Sequence, residues 1–241
     1  MKSKEIIIII VLSLALISII MLVSTNNLEF SKFNTGWNGT SHFFSITNRY
    51  TSHEVYDLSS LSDIRNATLL IIAPKDPFSA EQSLKYQKFL NAGNTIILSD
   101  DFGTGNSLLK GIGSHISIIK GILTSADRAY NDPYMVITYP ITKNHTLLDG
   151  VDTLTLDKAA TLLYGEPMVS SSLFSWIDKD EDQEITKREI LGKYTVVSYE
   201  KIGNGEIIVI SDPSIFINSM TEQSSQGNNN KFIANILILN P

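Results

Sequence analysis

Segment 178–189 carries acidic residues at the spacing of a calcium-binding loop. A twelve-residue loop of this kind binds the ion through side chains at positions one, three and five, a backbone carbonyl at position seven and a bidentate glutamate at position twelve. Alternate side chains of a tight loop can converge on one ion, which offsets the repulsion between their carboxylates. The predicted calcium ligands are Asp178, Asp180, Asp182, Glu184 through its backbone carbonyl, and Glu189.

Two features of this segment depart from the calcium-loop pattern. Position six is Gln183 where such loops have glycine, because the chain turns there through a conformation that costs about 1 kcal/mol for a residue with a Cβ atom. A predicted strand from Tyr194 leaves no room for a second flanking helix. We therefore predict a free-standing loop of weak affinity, on the order of 0.1–1 mM. The alternative is a solvated acidic turn packed over Trp176 and Ile185.

A second group of polar residues follows two predicted strands. Asp100, Asp101 and Asn106 come after one strand, and Asp212 and Ser214 come after another. In a doubly wound sheet these residues would meet at the carboxyl edge, where such folds bind ligands. The alternative is that their side chains cap helices and close turns, as the chemistry of Asp and Asn favours.

The elements that must position these residues begin with a β-α-β unit. The apolar runs 69–72 and 95–98 lack polar alternation, which indicates strands buried on both faces. Between them, Ser79 and Gln82 form a predicted capping box, and Gly93 stands where a helix ends. This unit predicts an α/β fold: a doubly wound, mostly parallel sheet with helices on both faces.

The last third of the chain predicts a β-hairpin. Strands 194–199 and 206–211 flank a turn at 203–205, and the second strand is apolar enough to be central. The polar run 222–230 predicts a surface loop. Between 124 and 163 the pattern predicts no definite order of elements.

The N-terminus predicts a membrane anchor. Residues Ile6–Val23 are apolar apart from two serines, and as a helix they span roughly 27 Å. Lys2 and Lys4 precede this run and no basic residue follows until Lys32, so the positive-inside rule places the N-terminus in the cytoplasm and the main domain outside, in a single-pass protein of the cell membrane. We predict an anchor at 1–24, a tether at 25–33 and a domain at 34–241. A cleaved signal peptide is the alternative.

Composition excludes several classes of function. The net charge of −6 without a basic cluster argues against nucleic acid as a partner. The chain has no cysteine, and its four histidines lack the spacing of a zinc site. Sequons at Asn38, Asn66 and Asn144 are candidate glycosylation sites of an external domain.

Several of these motifs resemble an uncharacterised family of membrane-anchored prokaryotic proteins whose domain is related to the class I glutamine amidotransferase-like fold. The resemblance lies in segments 38–41, 71–74, 89–93, 98–106 and 205–214, and in Asn218. It implies a flavodoxin-like, doubly wound domain with an accessory or binding role. Amidotransferases of this fold attack glutamine with a cysteine, so a chain without cysteine cannot carry out the glutaminase reaction.

Together these features predict a non-catalytic, membrane-anchored extracytoplasmic domain that binds a protein partner or small ligand, with calcium bracing the loop at 178–189. No catalytic or cofactor-binding residue is predicted. The alternative is a hydrolase that uses Asp100, Asp101 and Asp212 with a divalent metal; a pocket joining these carboxylates would favour it. A tethered solute-binding protein is a third interpretation, and it would need a cleft between two lobes.

Overall fold

The computed structural model describes residues 3–222 and 228–239, so residues 223–227 of the predicted polar loop lie outside the described chain. The helices and strands in chain order are α1 (Ser3–Asn26), α2 (Ser41–Thr47), β1 (Thr68–Ile72), α3 (Ala80–Asn91), β2 (Thr95–Ser99), α4 (Asn106–Ile112), β3 (Ser117–Ile119), β4 (Ile122–Ser125), β5 (Met135–Pro140), β6 (Leu154–Asp157), β7 (Thr161–Leu163), β8 (Glu166–Ser171), β9 (Ser175–Asp178), β10 (Thr195–Ile202), β11 (Gly205–Ile210), α5 (Asn218–Glu222) and α6 (Asn229–Leu237). Short 3-10 helices span Leu58–Asp63, Thr146–Leu148 and Pro213–Phe216.

Helix α1 is long and apolar enough to cross a membrane. Its segment Lys4–Met21 has a mean hydropathy of 2.6, and none of it is buried against the rest of the described chain. A helix of 24 residues is about 36 Å long, which exceeds the roughly 30 Å of a bilayer's hydrocarbon core. A signal sequence would have the same properties. The N-terminal apolar helix is therefore the part of the anchor prediction that is confirmed.

Strands β1 and β2 and helix α3 form the predicted β-α-β unit, with the two strands parallel. The Oγ of Ser79 accepts a hydrogen bond from the Gln82 N–H at 3.2 Å, and the Gln82 Oε1 accepts one from the Ser79 N–H at 2.8 Å. Gly93 follows the helix with φ +90°, a conformation that favours glycine. Both predicted ends of this helix are thus confirmed.

Strands β2 and β11 form the buried centre of the sheet. Strand β11 lies parallel to β2, with Ile208 beside Ile97, and joins β10 through the predicted turn at 203–205. Ile97 and Ile208 face a core that includes side chains of α2 and α6, whereas Ile96 and Leu98 face a second core with α3 and α4. Because both faces are covered, these strands are uninterrupted apolar runs in the sequence.

Only part of the sheet is parallel, so the predicted doubly wound α/β fold is wrong. The main sheet has nine strands in the order β1-β2-β11-β10-β8-β5-β6, with β7 beside β10 and β3 beside β7. Strands β1, β2 and β11 are parallel to one another, and the remaining pairs are antiparallel. Strands β4 and β9 form a separate antiparallel pair. The described domain therefore has a mixed sheet and more strands than helices.

The error in the predicted fold has a physical cause. A parallel crossover needs a connection of a dozen or more residues, usually a helix, whereas antiparallel strands join through short turns. Segment 117–178, all of whose residues are described, contains seven short strands and no α-helix. The β-α-β unit therefore occurs once at the edge of the sheet and does not repeat along the chain.

Asn218 holds the N-terminal segment 28–41 against the domain. Its Nδ2 donates to the backbone carbonyls of Asn34 at 3.1 Å and Gly36 at 2.7 Å, and its Oδ1 accepts from the His42 N–H at 2.9 Å. The side chains of Asn218 and Asn34 are buried. One buried amide thus satisfies two backbone groups of this segment and one at the start of α2.

Replacing Asn218 with alanine should destabilise the domain, because it leaves those backbone groups without their partner. Each buried polar group left unpaired costs about 1–3 kcal/mol, so we expect a loss of about 2–4 kcal/mol in the free energy of unfolding. Thermal unfolding of the full chain in detergent, followed by circular dichroism, would measure it. Asn144→Ala, at an exposed asparagine, is the matched control and should stay within about 0.5 kcal/mol of the unsubstituted chain. Equal stability of the two variants would contradict the assigned role of Asn218.

Candidate functional site

The acidic loop at 178–189 starts at the end of β9 and is closed at its base. The Gly192 N–H donates to the Ser175 carbonyl at 2.9 Å, so the chain returns to β9 directly after the loop. Asp178 is buried, and its Oδ1 accepts from the Glu181 N–H at 2.7 Å. Its Oδ2 accepts from the Gln183 N–H at 2.9 Å. The first residue of the loop thus organises the turn that follows it.

Glu189, the twelfth residue, is buried and ties the two arms of the loop together. Its Oε1 accepts from the Lys179 N–H at 2.7 Å, and its Oε2 accepts from the Thr186 N–H at 2.9 Å. These bonds bring the end of the loop back to its beginning. Both oxygens of Glu189 thus accept from backbone N–H groups, and Glu189 is not among the carboxylates that converge in the loop.

The carboxylates of Asp178, Asp180 and Asp182 converge within this loop. One carboxylate oxygen from each residue lies within 4.8 Å of those from the other two, with Asp178 buried and the other two exposed. Partial desolvation and the nearby carboxylates of Asp182 and Glu189 raise the pKa of Asp180. Like charges held this close favour a bound cation, which would relieve their repulsion.

The sixth residue of the loop adopts the conformation that the calcium-loop pattern requires there. Gln183 has φ +65° and Glu181 has φ +60°, both in the left-handed region. Residues with a Cβ atom pay about 1–2 kcal/mol for this conformation. Here the two backbone N–H groups that turn inward donate to Asp178, which helps to offset the cost. Glu184, whose carbonyl is the predicted ligand at position seven, donates its N–H to the Asp182 Oδ1 at 2.8 Å.

Tyr134 is a contact of the loop that the sequence analysis missed. Its hydroxyl donates to the Asp178 Oδ2 at 3.0 Å, and burial with this carboxylate raises the pKa of Tyr134 to about 12. Tyr134 lies far from the loop in sequence, so no local pattern indicates the contact. Trp176 is buried, whereas Ile185, which the solvated-turn alternative packs under the loop, is exposed.

The carboxyl edge of β2 and β11 uses two of its predicted acidic residues to close turns. Asp100 accepts from the Phe102 N–H at 2.9 Å and the Gly105 N–H at 2.7 Å. Asp212 accepts from the Asp157 N–H at 2.7 Å and the Ser214 N–H at 2.7 Å. Both oxygens of each carboxylate thus accept hydrogen bonds from backbone amides.

Asn106 and Ser214 also have structural partners. The Asn106 side chain donates to the Ile118 carbonyl at 2.9 Å and accepts from the Ile118 N–H at 2.8 Å, which joins the start of α4 to β3. The backbone N–H of Ser214 donates to Asp212 in the turn after β11. These contacts match the turn-closing and capping interpretation of the edge.

Asp101 differs from its neighbours because one of its oxygens, Oδ1, is buried without a hydrogen-bond partner. Burial raises the pKa of Asp101 to about 7, and the charges of Asp100, Glu29 and Asp157 add to the shift. Desolvation also raises the pKa values of Asp100, Asp157 and Asp212, the last of which is fully buried. The edge is therefore a cluster of carboxyl groups in which ionisation is unfavourable.

Asp157 and Glu29 are members of this acidic cluster that the sequence analysis missed. Asp157 is the last residue of β6, and its N–H donates to the Asp212 Oδ2 at 2.7 Å, so its place in the cluster depends on the packing of distant strands. Glu29 comes from the segment after α1, and its approach to Asp101 depends on the tertiary fold.

A pocket of about 430 Å³ lies beside this edge. Its lining comes from the segment after α1 and from the connections that follow β1 and β2: Leu28, Glu29, Phe30, Ala73, Pro74, Lys75, Phe102 and Thr104. None of the three carboxylates assigned to the alternative hydrolase lines it. This pocket therefore lacks the arrangement that would favour that alternative.

The sequons differ in their exposure. Asn66 and Asn144 are exposed, whereas Asn38 is half-buried and its side chain accepts from the Asn34 Nδ2 at 2.9 Å. Thr40 of the first sequon is fully buried and donates to the Phe30 carbonyl at 2.9 Å. The folded domain therefore presents Asn66 and Asn144 to modifying enzymes, and glycosylation at all three positions stays a prediction.

The described chain is thus an N-terminal apolar helix followed by a mixed-sheet domain with an acidic loop. A family model described as a domain of unknown function, DUF4350, matches residues 32–237. The chain belongs to this family. No protein of curated function matches its sequence.

Among solved structures, the domain is similar to one described as the mmIFT52 N-terminal domain, with a TM-score of 0.61 and 13% sequence identity over 87% of this chain and 92% of that one. A β-galactosidase from Bacillus circulans sp. alkalophilus has a TM-score of 0.39 at 10% identity and covers 70% of this chain and 22% of its own. At 13% identity the first similarity concerns the fold alone.

These comparisons overturn the resemblance to a glutamine amidotransferase-like, flavodoxin-like family. The mixed sheet is not the doubly wound parallel sheet of that fold. Two of the motifs on which the resemblance rested, 98–106 and 205–214, contain the carboxylates that close turns after buried strands. Turns of this kind recur wherever a buried strand ends, so they do not distinguish one fold from another.

The carboxyl cluster predicts that stability falls as pH rises. A carboxyl group with a raised pKa in the folded state contributes stability below its unfolded pKa of about 3.9, and this contribution is lost as pH rises through the folded value. For Asp101 the window runs from about pH 4 to about pH 7. Asp101→Asn should therefore raise the melting temperature at pH 8, by about 2–4 °C for each kcal/mol regained.

The same substitution should change the melting temperature little at pH 4, where the Asp101 carboxyl is already largely protonated. Asp76→Asn, at an exposed aspartate, is the matched control and should show no such dependence on pH. An Asp101→Asn effect of equal size at both pH values would show that ionisation of Asp101 is not its cause.

Proposed function

We propose that this protein is a non-catalytic, membrane-anchored domain that binds a partner outside the cytoplasm, with calcium bracing the loop at 178–189. The observation that carries the proposal is the convergence of Asp178, Asp180 and Asp182 within 4.8 Å in a loop that Glu189 closes. Asp178 accepts from backbone amides, but Asp180 and Asp182 lie exposed beside it. Asp100 and Asp212, which a hydrolase would need, are also engaged with backbone amides, and neither lines the pocket beside them.

The charge balance of the loop supports calcium as its ligand. Segment 178–189 contains six acidic residues and three basic ones, and its carboxylates are the hard oxygen ligands that calcium prefers. A divalent ion would offset most of this excess and the repulsion that, after desolvation, raises the pKa of Asp180. Exposure of Asp180 and Asp182 gives the ion a route from solvent.

An exposed apolar patch at the base of the loop supports a protein partner. Its members are Leu173, Phe174, Ile190 and Leu191, each more than half exposed. The bridge between Ser175 and Gly192 is antiparallel, so the two pairs lie on opposite sides of it at the base of the loop. Exposed apolar side chains gathered in one part of a surface are typical of interaction sites. The apolar residues flank the two ends of the loop. Calcium that orders the loop would therefore affect binding of the protein partner.

Helix α1 supports attachment to a membrane, with the domain outside. Its apolar segment is exposed along its whole length, as a lipid-facing helix requires. Lys2 and Lys4 precede it, and the next basic residue is Lys32. This distribution favours a cytoplasmic N-terminus in a single-pass protein.

Calcium should bind the full chain, purified in detergent, with a Kd on the order of 0.1–1 mM. We expect a saturable heat in calorimetry and a rise in melting temperature as calcium is added. Asp180→Asn combined with Asp182→Asn should abolish both effects, because it removes two ligands while keeping groups that can accept hydrogen bonds. Both side chains are exposed, so the double variant should fold.

Glu181→Gln combined with Glu184→Gln is the matched control. Like the aspartate variant, it removes two negative charges from exposed positions of the loop. Neither side chain is a predicted calcium ligand. This variant should still bind calcium with a modestly higher Kd. Equal loss in both double variants would indicate non-specific attraction of calcium to negative charge, and no heat at several millimolar calcium would refute the site.

The proposed topology can be tested with single cysteines, since the chain has none of its own. In intact cells that express the full chain, a membrane-impermeant maleimide should label Asn144→Cys, because Asn144 is exposed on the domain. It should label Ser3→Cys only after the cells are permeabilised. Labelling of Ser3→Cys in intact cells would invert the topology, and a shortened chain released into the medium would identify α1 as a cleaved signal peptide.

A further inference from the structure

The described domain begins almost immediately after helix α1. The helix ends at Asn26, and the carbonyl of Leu28 already accepts from the Ser31 N–H at 3.1 Å and the Asn34 Nδ2 at 3.0 Å. Asn34 is in turn held by the buried Asn218. A domain joined to a membrane helix through so short a connection cannot move far from the bilayer.

The length of this connection places its first residues at the depth of the lipid headgroups. From the end of the apolar run at Val23, five residues lead to Leu28, which is about 7.5 Å at helical rise. The headgroup layer on each side of a bilayer is about 5–7 Å thick, because the total thickness is about 40–45 Å and the hydrocarbon core about 30 Å. Leu28 would therefore lie at the outer boundary of this layer.

Large apolar side chains are exposed where the domain comes this close to lipid. Leu28 is 45% exposed, Phe33 59% and Trp37 66%. Phe102, which is 53% exposed, lines the same pocket as Leu28 although it comes from the connection after β2. Among these side chains, Trp37 is of a type that is enriched at the boundary between lipid and water.

Polar groups accompany these apolar side chains, as an interfacial surface requires. The Lys32 ammonium lies 4.9 Å from the centre of the Phe33 ring and pairs with Glu54. Lys75 lines the pocket beside Phe102. Lysine side chains next to aromatic rings can reach phosphate groups while the rings contact the acyl boundary.

We propose that the membrane-proximal face, defined by Leu28, Phe33, Trp37 and Phe102, rests on the headgroup layer of the bilayer that α1 crosses and inserts its large side chains into it. This inference rests on the proposed membrane anchor and adds a second contact with lipid, made by the folded domain itself. Two contacts hold the domain in one orientation. The acidic cluster near Asp101 and the pocket beside Leu28 then lie at the lipid side of the molecule.

Fluorescence of the full chain in phosphatidylcholine vesicles tests this orientation. The protein has two tryptophans: Trp37 on the proposed face and Trp176, which is only 7% exposed. Lipids brominated on the acyl carbons nearest the headgroup quench tryptophans at that depth. We expect these lipids to remove the Trp37 component of the emission, and Trp37→Phe to abolish the quenching while leaving the emission of Trp176.

A variant that carries Trp37→Phe together with Lys201→Trp is the matched control. Lys201 is exposed and lies on β10 beside Glu206, near the start of β11. Asp212 follows the other end of β11, so Lys201 and Asp212 are at opposite ends of the sheet. A tryptophan there should not be quenched. Equal quenching at positions 37 and 201 would overturn the proposed orientation.

An alkaline carbonate wash of the same vesicles separates failure of the anchor from failure of the orientation. Protein that stays in the vesicles but shows no quenching of Trp37 retains its anchor and overturns the lipid contact of the membrane-proximal face. Protein that is released by the wash lacks the anchor, and the proposed membrane attachment and the orientation then fail together.

Discussion

The structure depends on the burial of two neighbouring parallel strands, β2 and β11, on both faces. Their apolar side chains point alternately into two cores, one with α3 and α4 and the other with α2 and α6. Because no face of these strands is left for water, helices must cover both sides of the sheet at this point. On the far side of β11, the antiparallel strands β10, β8, β5 and β6 extend the sheet away from this centre.

Burial of these strands also governs the chemistry at their ends. Where β2 and β11 end, Asp100 and Asp212 are buried. Their carboxylates accept hydrogen bonds from backbone N–H groups and so stabilise the turns that follow the strands. Asp101 lacks such compensation at one oxygen, so its ionisation is costly. Polar residues at a sheet edge therefore do not by themselves indicate a ligand site, since closing the chain after a buried strand requires the same residue types.

A few buried side chains hold the acidic loop and the segment after α1 on the folded domain. Asp178 and Glu189 order the loop from its two ends and leave Asp180 and Asp182 facing solvent. Asn218 holds segment 28–41 and so sets how closely the domain follows its helix. In the proposed function, the acidic loop binds a cation near the partner surface, and segment 28–41 holds the domain close to the bilayer.

The sequence by itself determined the local units: the apolar helix at the N-terminus, the capped helix between β1 and β2, the hairpin turn at 203–205, and the acidic spacing of 178–189. Each depends on residues near one another in the chain, whose propensities and periodicity are visible without a fold. Only the tertiary structure decided the strand directions, the approach of Tyr134 to Asp178, and the meeting of Glu29 with Asp101 and Asp157. These features arise from packing between distant segments, and short antiparallel strands carry too little periodicity to reveal their partners in advance.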